Sequence, residues 1–150
     1  MKTIYIDADA CPVKKETYRV AARYGWGTFV VANQFISTPP SQIIFCIQVG
    51  DGMDEADDWI AEHVEGGDIV ITADILLAAR CLEKSARVLG PRGRIFKDES
   101  IGEAIAAREA QAYMREMGIQ AGGPKPLEER ARSNFLQKLD QVVQAVKRKA

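Results

Sequence analysis

The sequence predicts an α/β protein of three layers, with a mainly parallel sheet between two layers of helices. Three observations carry that expectation. Short β-branched, apolar runs alternate with helix-length amphipathic segments. Those helices are long enough to cross over between parallel strands, which points to a sheet covered on both faces. The runs Ile4-Tyr5-Ile6 and Ile69-Val70-Ile71 are continuously apolar, as strands buried on both sides are.

The elements follow in order. Lys2 to Ile6 reads as the first strand, β-branched and aromatic. Pro12 to Tyr24 reads as a helix, with Pro at its first turn, Gly25 past its end, and Val13, Thr17, Val20, Ala21 and Tyr24 on one stripe. Thr28 to Ala32 is the second strand and ends at Asn33. Residues 34–41 hold Pro39-Pro40 and form a loop. Ile43 to Val49 is the third strand. After the turn at Gly50-Asp51-Gly52, Asp54 to Val64 is a helix that Gly66-Gly67 stops. Asp68 to Thr72 is the fourth strand, and Ala73-Asp74 opens a helix to about Ala86. Val88 to Gly90 is a short fifth strand, and residues 91–97 form a basic loop with an extended piece at Arg94-Ile95-Phe96. Ser100-Ile101-Gly102-Glu103 has the spacing of a capping box and predicts a helix to about Met117. Residues 118–126, with Gly122-Gly123-Pro124, form a joint. Leu127 to Lys149 is a last amphipathic helix that turns Phe135, Leu139, Val142, Val143 and Val146 inward.

At 150 residues the chain is expected to form one domain, 1–150, with 118–150 as a joint and a helix packed on or beside it. No apolar run reaches the roughly 18 residues needed to span a bilayer. The amino terminus enters a strand directly, without a signal-peptide layout. Cys11, Cys46 and Cys81 are odd in number and scattered, which suits reduced thiols and a cytoplasmic location. Without a Cys/His cluster, a zinc site is not expected.

Net charge is −1, but it is unevenly spread. Residues 1–107 carry a balance of −5 and residues 108–150 one of +4. No Lys or Arg occurs between Arg23 and Arg80, while Asp51, Asp54, Glu55, Asp57, Asp58, Glu62, Glu65, Asp68 and Asp74 all do. A distant segment, solvent or a cation must offset them.

Asp7 and Asp9 follow the first strand, and Asp74 follows the fourth at the same edge of the sheet. Ligands of open α/β sheets bind past the carboxyl ends of the strands, where strand order reverses. Asp54, Asp57 and Asp58 lie near the start of the intervening helix, on one face of it. Hard cations such as Mg²⁺ or Mn²⁺ prefer carboxylate and water oxygens, so the pooled acids suggest a divalent-metal site. Each acid also has an ordinary reading. Asp74 and Asp9 suit helix caps, and Asp54 and Asp57 suit the helix dipole.

Taken together, Asp7-Ala8-Asp9-Ala10-Cys11-Pro12-Val13, Val31-Ala32-Asn33-Gln34, Asp54-x-x-Asp57-x-x-Ile60, Gly67 through Ile75, Pro91-Arg92-Gly93, Gly122-Gly123-Pro124 and Arg132-x-x-Phe135 closely resemble the YaiI/YqxD family of bacterial proteins. The resemblance covers essentially the whole chain. That family looks like a branch of the PIN-like nucleases, which implies sheet order 3-2-1-4-5 and an acid cluster binding Mg²⁺ or Mn²⁺. By position, Asp7 matches the acid after the first strand, Asp54 or Asp57 the helix acid, and Asp74 the acid of the T-x-D strand end. Leu76 stands where the family usually has Pro, and Ala131 where it often has Asp.

The expected activity is divalent-metal-dependent phosphodiester hydrolysis, on RNA rather than DNA. Asp7, Asp54 and Asp74 are the expected catalytic ligands, with Asp9 and Asp57 as further metal ligands or acceptors of metal-bound water. Thr72 is expected to position a water or a phosphate oxygen, and Asn33 to hold the site loop or touch substrate. Lys14, Lys15, Arg92, Arg94, Lys97, Arg130 and Arg132 are candidate phosphate contacts. His63 is read as an ordinary helix residue, Trp26 and Trp59 as packing residues, and Cys11 as a poor nucleophile beside carboxylates. Two other readings stand: a non-catalytic module binding RNA, nucleotide or protein, and a haloacid dehalogenase-like phosphatase with Asp7 as nucleophile. A homo-oligomer is compatible with the sequence, and a membrane partner is not expected.

Overall fold

The computed structural model describes residues 2–9, 11–118 and 127–149. Among these, six strands form one sheet. β1 (Thr3–Asp7), β2 (Gly27–Ala32), β3 (Ile44–Gln48), β4 (Ile69–Ile71), β5 (Arg87–Leu89) and β6 (Ile95–Phe96) lie in the order β3-β2-β1-β4-β5-β6. All neighbours run parallel except β5 and β6. The expected order 3-2-1-4-5 is therefore present, with one antiparallel strand added at the edge. Strand order reverses at β1, between β2 and β4.

The pleat divides the core in two. Ile4, Ile6, Val30, Ala32, Ile69 and Ile71 face α1 (Lys14–Tyr24) and α5 (Glu129–Lys149). Tyr5, Val31, Val70 and Val88 face α2 (Glu55–His63) and α3 (Ile75–Glu83), with Ile101 of α4 (Asp98–Glu116) beside them. The stripe expected on the last helix is the one observed, because Phe135, Leu139, Val142, Val143 and Val146 are all buried. Polar contacts tie α5 to α1. Arg132 donates to the Pro12 carbonyl at 2.6 Å and sits 3.3 Å from Glu16, while Tyr24 donates to Asp140 at 2.6 Å.

Three boundaries differ from expectation for local reasons. α1 begins at Lys14, because Pro12 and the fully buried Val13 form a turn that plugs into the core before the helix starts. Gly25 does close it, in the left-handed region at φ 70°, where glycine carries no Cβ penalty. α3 ends at Glu83, and Ser85 turns the chain at φ 65°. The capping box is not formed. α4 starts three residues earlier, with Lys97 rather than Ser100 at the N-cap position and with Asp98 and Glu99 in the first turn, where the helix dipole favours acids. Ser100 then lies inside that turn and its hydroxyl points back to the Lys97 carbonyl. The Gly122-Gly123-Pro124 joint lies outside the described residues.

No helix among the described residues is long and apolar enough to cross a membrane.

Replacing the fully buried Phe135 by Ala is expected to cost about 3–5 kcal/mol, while Tyr113→Ala on the exposed end of α4 should stay within about 0.5 kcal/mol. Urea denaturation of both variants checks the contrast.

Candidate carboxylate site at the sheet switch point

The site sits past the carboxyl ends of β1 and β4, where the crevice of an open α/β sheet lies. Its centre is Thr72, which is 2 % exposed. The Thr72 hydroxyl donates to Asp7 Oδ2 at 2.7 Å and accepts from the Asp74 backbone N–H at 3.0 Å. One buried side chain thus fixes the acid of β1 against the acid that follows β4. Asp74 Oδ1 caps α3, accepting from the N–H groups of Leu76 at 2.9 Å and Leu77 at 3.2 Å. The cap sets the helix start, with Leu76 and Leu77 in the first turn.

Asp57 comes in from α2. Burial, the charges of Asp74 and Asp7, a hydrogen bond to the Asp74 carboxylate and the charge of Asp54 all push its carboxyl up, to about 7. Asp7 is also raised, chiefly by burial and then by Asp74 and Asp9, with the Thr72 hydrogen bond opposing. Asp54 itself is exposed and occupies the N-cap position of α2 at φ 71° without a capping hydrogen bond. That left-handed conformation is uncommon for a residue with a Cβ and costs energy. Sequence reading ranked Asp54 ahead of Asp57, whereas the structure brings Asp57 against Asp74. The neighbouring Asp58 is engaged elsewhere, 2.8 Å from Arg80.

Asp9 does not cap α1. Both of its oxygens accept from the Asn33 backbone N–H at 3.1 Å, joining the ends of β1 and β2. The Asn33 side-chain oxygen is buried and has no hydrogen-bond partner among the described residues. Lys14 is held to the Cys11 carbonyl at 2.9 Å. The carboxyl edge also carries the β5–β6 turn. There the Arg92 carbonyl accepts from Asn134, and the Arg94 guanidinium lies 4.8 Å from the centre of the Phe96 ring. Arg132 is committed to Pro12 and Glu16. Because β6 is antiparallel, Lys97 at its far end lies at the amino edge, away from the acids. It lines an open cavity of about 890 Å³ there with Lys2, Arg87 and Phe96. Burial raises the Cys11 thiol, which keeps it a poor nucleophile. His63 stacks on Trp59 at 3.9 Å and bonds to the Trp59 carbonyl, as a packing residue does.

Asp7, Asp54, Asp57 and Asp74 form no ion pair among the described residues. Their chemistry, all carboxylate oxygen, fits a hard divalent cation. Among the described residues no group of three or more His, Cys, Asp or Glu stands arranged to hold a metal ion. The acids feel one another's charge, with Asp57 and Asp74 the closest pair. One oxygen of Asp7 and one of Asp74 are taken by Thr72 and by the α3 cap.

A pH dependence follows. Asp57 holds its proton to about 7 when folded, against an ordinary carboxyl near 3.8. Between those values the folded chain binds more protons than the unfolded one, so stability falls as pH rises through this window. Thermal melts should show Tm dropping from pH 5 to pH 8, with a shallower drop in Asp57→Asn.

The family model described as "Uncharacterized BCR, YaiI/YqxD family" matches residues 5–145. A UPF0178 protein of Rhodopseudomonas palustris strain HaA2 is 50 % identical over 97 % of this chain and 89 % of its own length. One from Caulobacter vibrioides strain NA1000 / CB15N is 49 % identical over 99 % and 97 %. No solved structure matches. With a family model spanning nearly the whole chain and relatives at half identity over almost their full length, this chain belongs to the YaiI/YqxD family.

Proposed function

We propose that this protein is a divalent-metal-dependent nuclease that hydrolyses phosphodiesters, of RNA in preference to DNA. The observation that carries the reading is the gathering of Asp7, Asp57 and Asp74 at the switch point, with Asp54 beside them, where burial and then the neighbouring carboxylates push Asp57 up to about 7. Like charges gathered in a partly buried crevice destabilise a fold unless something offsets them, and perturbed acids of this kind cluster at functional sites.

In this reading Asp7, Asp57 and Asp74 would hold Mg²⁺ or Mn²⁺, with Asp54 and Asp9 nearby. When bound, the ion supplies a water of lowered pKa and neutralises charge at phosphorus. Thr72 orients the Asp7 carboxylate and so fixes the geometry of the set. Asp57 gives up its proton on loading, so cation affinity rises with pH. Lys14, Arg92 and Arg94 at the rim attract the phosphate backbone, giving affinity and salt dependence rather than sequence choice. Asn33, whose backbone N–H is held by Asp9, keeps the ends of β1 and β2 together beside the acids.

A second reading is a non-catalytic module that binds RNA, nucleotide or protein. The absence of a ready ligand group among the described residues, with Asp74 engaged as a helix cap, favours it. The phosphatase reading gains nothing, since both oxygens of Asp9 serve the Asn33 N–H rather than a proton transfer.

Labelled single-stranded RNA and DNA incubated with purified protein and Mn²⁺ test the proposal. Cleavage should need the metal and fall more than about 100-fold in Asp7→Asn and Asp57→Asn. Thr72→Val should lose about 10–100-fold, the range of partners that orient ligands. Cleavage that persists in Asp7→Asn would belong to a contaminant. No cleavage by the parent protein with any divalent metal would favour the binding module.

A further inference from the structure

The two edges of the sheet are built differently. The β6 edge is two residues long, antiparallel, and flanked by Arg94 and Lys97. Short length and flanking cations are the usual protections of an exposed edge. The β3 edge has none of them. Its residues, Ile44-Phe45-Cys46-Ile47-Gln48, include no charge, Pro or Gly. No Asp, Glu, Lys or Arg occurs anywhere in residues 24–50.

The backbone of β3 is half used. Thr28 N–H donates to the Ile43 carbonyl at 2.8 Å, and Val49 N–H donates to the Ala32 carbonyl at 2.9 Å. By the alternation of a parallel ladder, residues 45 and 47 turn their N–H and C=O groups toward β2, as do the Ile43 carbonyl and the Val49 N–H, while the Ile43 N–H donates to the Ser41 hydroxyl. Those of Ile44, Cys46 and Gln48 face outward, and among the described residues no backbone hydrogen bond reaches them. On the face toward α2, Phe45 is 46 % exposed and Ile47 and Val49 are only partly buried, because α2 packs chiefly on β1 and β2.

We propose that β3 is a dimerisation edge, where two copies of this chain pair β3 to β3 antiparallel about a two-fold axis at Cys46. This register uses every outward group. Cys46 exchanges hydrogen bonds with Cys46 of the second copy, and Ile44 does so with Gln48. It also sets Phe45 beside Ile47 in both directions, an aromatic to β-branched pairing of the kind that stabilises sheets. Charge selects the occupant. An uncharged strand can meet its own copy with no like-charge cost. The strand itself offers a polyanion no cation and a charged peptide no counter-charge, since residues 24–50 carry neither. The contact is isologous and closes on itself, and the protected β6 edges stop the shared sheet from growing.

Sedimentation velocity across a concentration series tests this, with Phe45→Lys and Cys46 cross-linking beside it. The parent protein should pass from monomer to dimer. Phe45→Lys should weaken the dimer by about tenfold or more while leaving the circular dichroism spectrum unchanged. Hydrogen-bonded antiparallel partners stand about 5.5 Å apart at Cα, within disulfide reach, and Cys11 and Cys81 are buried. Mild oxidation should therefore give a covalent dimer that Cys46→Ser abolishes, a result that decides the matter even where Phe45→Lys fails to fold. A monomer at every concentration overturns the proposal. So does a dimer indifferent to Phe45→Lys, or one yielding no Cys46-linked product.

Discussion

The Thr72 hydroxyl is the constraint on which the candidate site depends. It donates to a carboxylate on one strand and accepts from the backbone N–H of the acid that follows the next. Both capacities of a buried hydroxyl are thus spent on negative or capping groups rather than on solvent. This is how a fold keeps two acids side by side. Asp7 keeps a hydrogen-bond donor that favours its ionised form, against burial and against Asp74. Asp74 keeps two backbone donors from α3. Asp57 has no such support, and the strain of the arrangement collects on it.

Sequence reading and structure agree where the signal is local and periodic. The stripe of α5 repeats every three to four residues, and those same positions are buried. Asp7 stood out because a carboxylate interrupts an apolar strand end, and its place at the switch point follows from strand order. Agreement stops where the deciding fact is conformational or long-range. Asp54 and Asp57 are equivalent by spacing, but Asp54 is exposed at the left-handed N-cap of α2, whereas Asp57 is half-buried and meets Asp74. Asp9 could equally have capped α1, and only the approach of β2 shows that it serves Asn33. Lys97 was grouped with Arg94 because they are near in sequence. A two-residue antiparallel strand carries it to the other edge.

The unbalanced charge of the middle of the chain resolves unevenly. Asp58 meets Arg80 from α3, a pair that is exposed and adds little to stability. Residues 24–50 avoid the problem by carrying no charge at all, which leaves β3 apolar and unguarded. The acids at the switch point form no ion pair among the described residues; the charge of Arg80, which is paired with Asp58, reaches Asp57 only from a distance.

Asp68 shows why that matters. It is a buried acid, 5 % exposed, at the amino end of β4, and burial raises it just as burial raises Asp57. Backbone N–H groups of Thr3 at 3.0 Å and Glu65 at 2.9 Å then oppose the shift, and the charge of Lys2 assists them. Its ionised form is built into the structure, and its role is to stitch β1 to the turn before β4. Asp57 lies near the opposite end of the same sheet, where burial and the neighbouring carboxylates push it upward. Two acids packed against one sheet therefore differ in kind. The protein supplies the backbone donors that Asp68 requires, whereas Asp57 meets neighbouring carboxylates and only the more distant charge of Arg80, which Asp58 engages. An acid surrounded in that way is stabilised by a proton or by a cation from solution, and the first of these is lost above about pH 7.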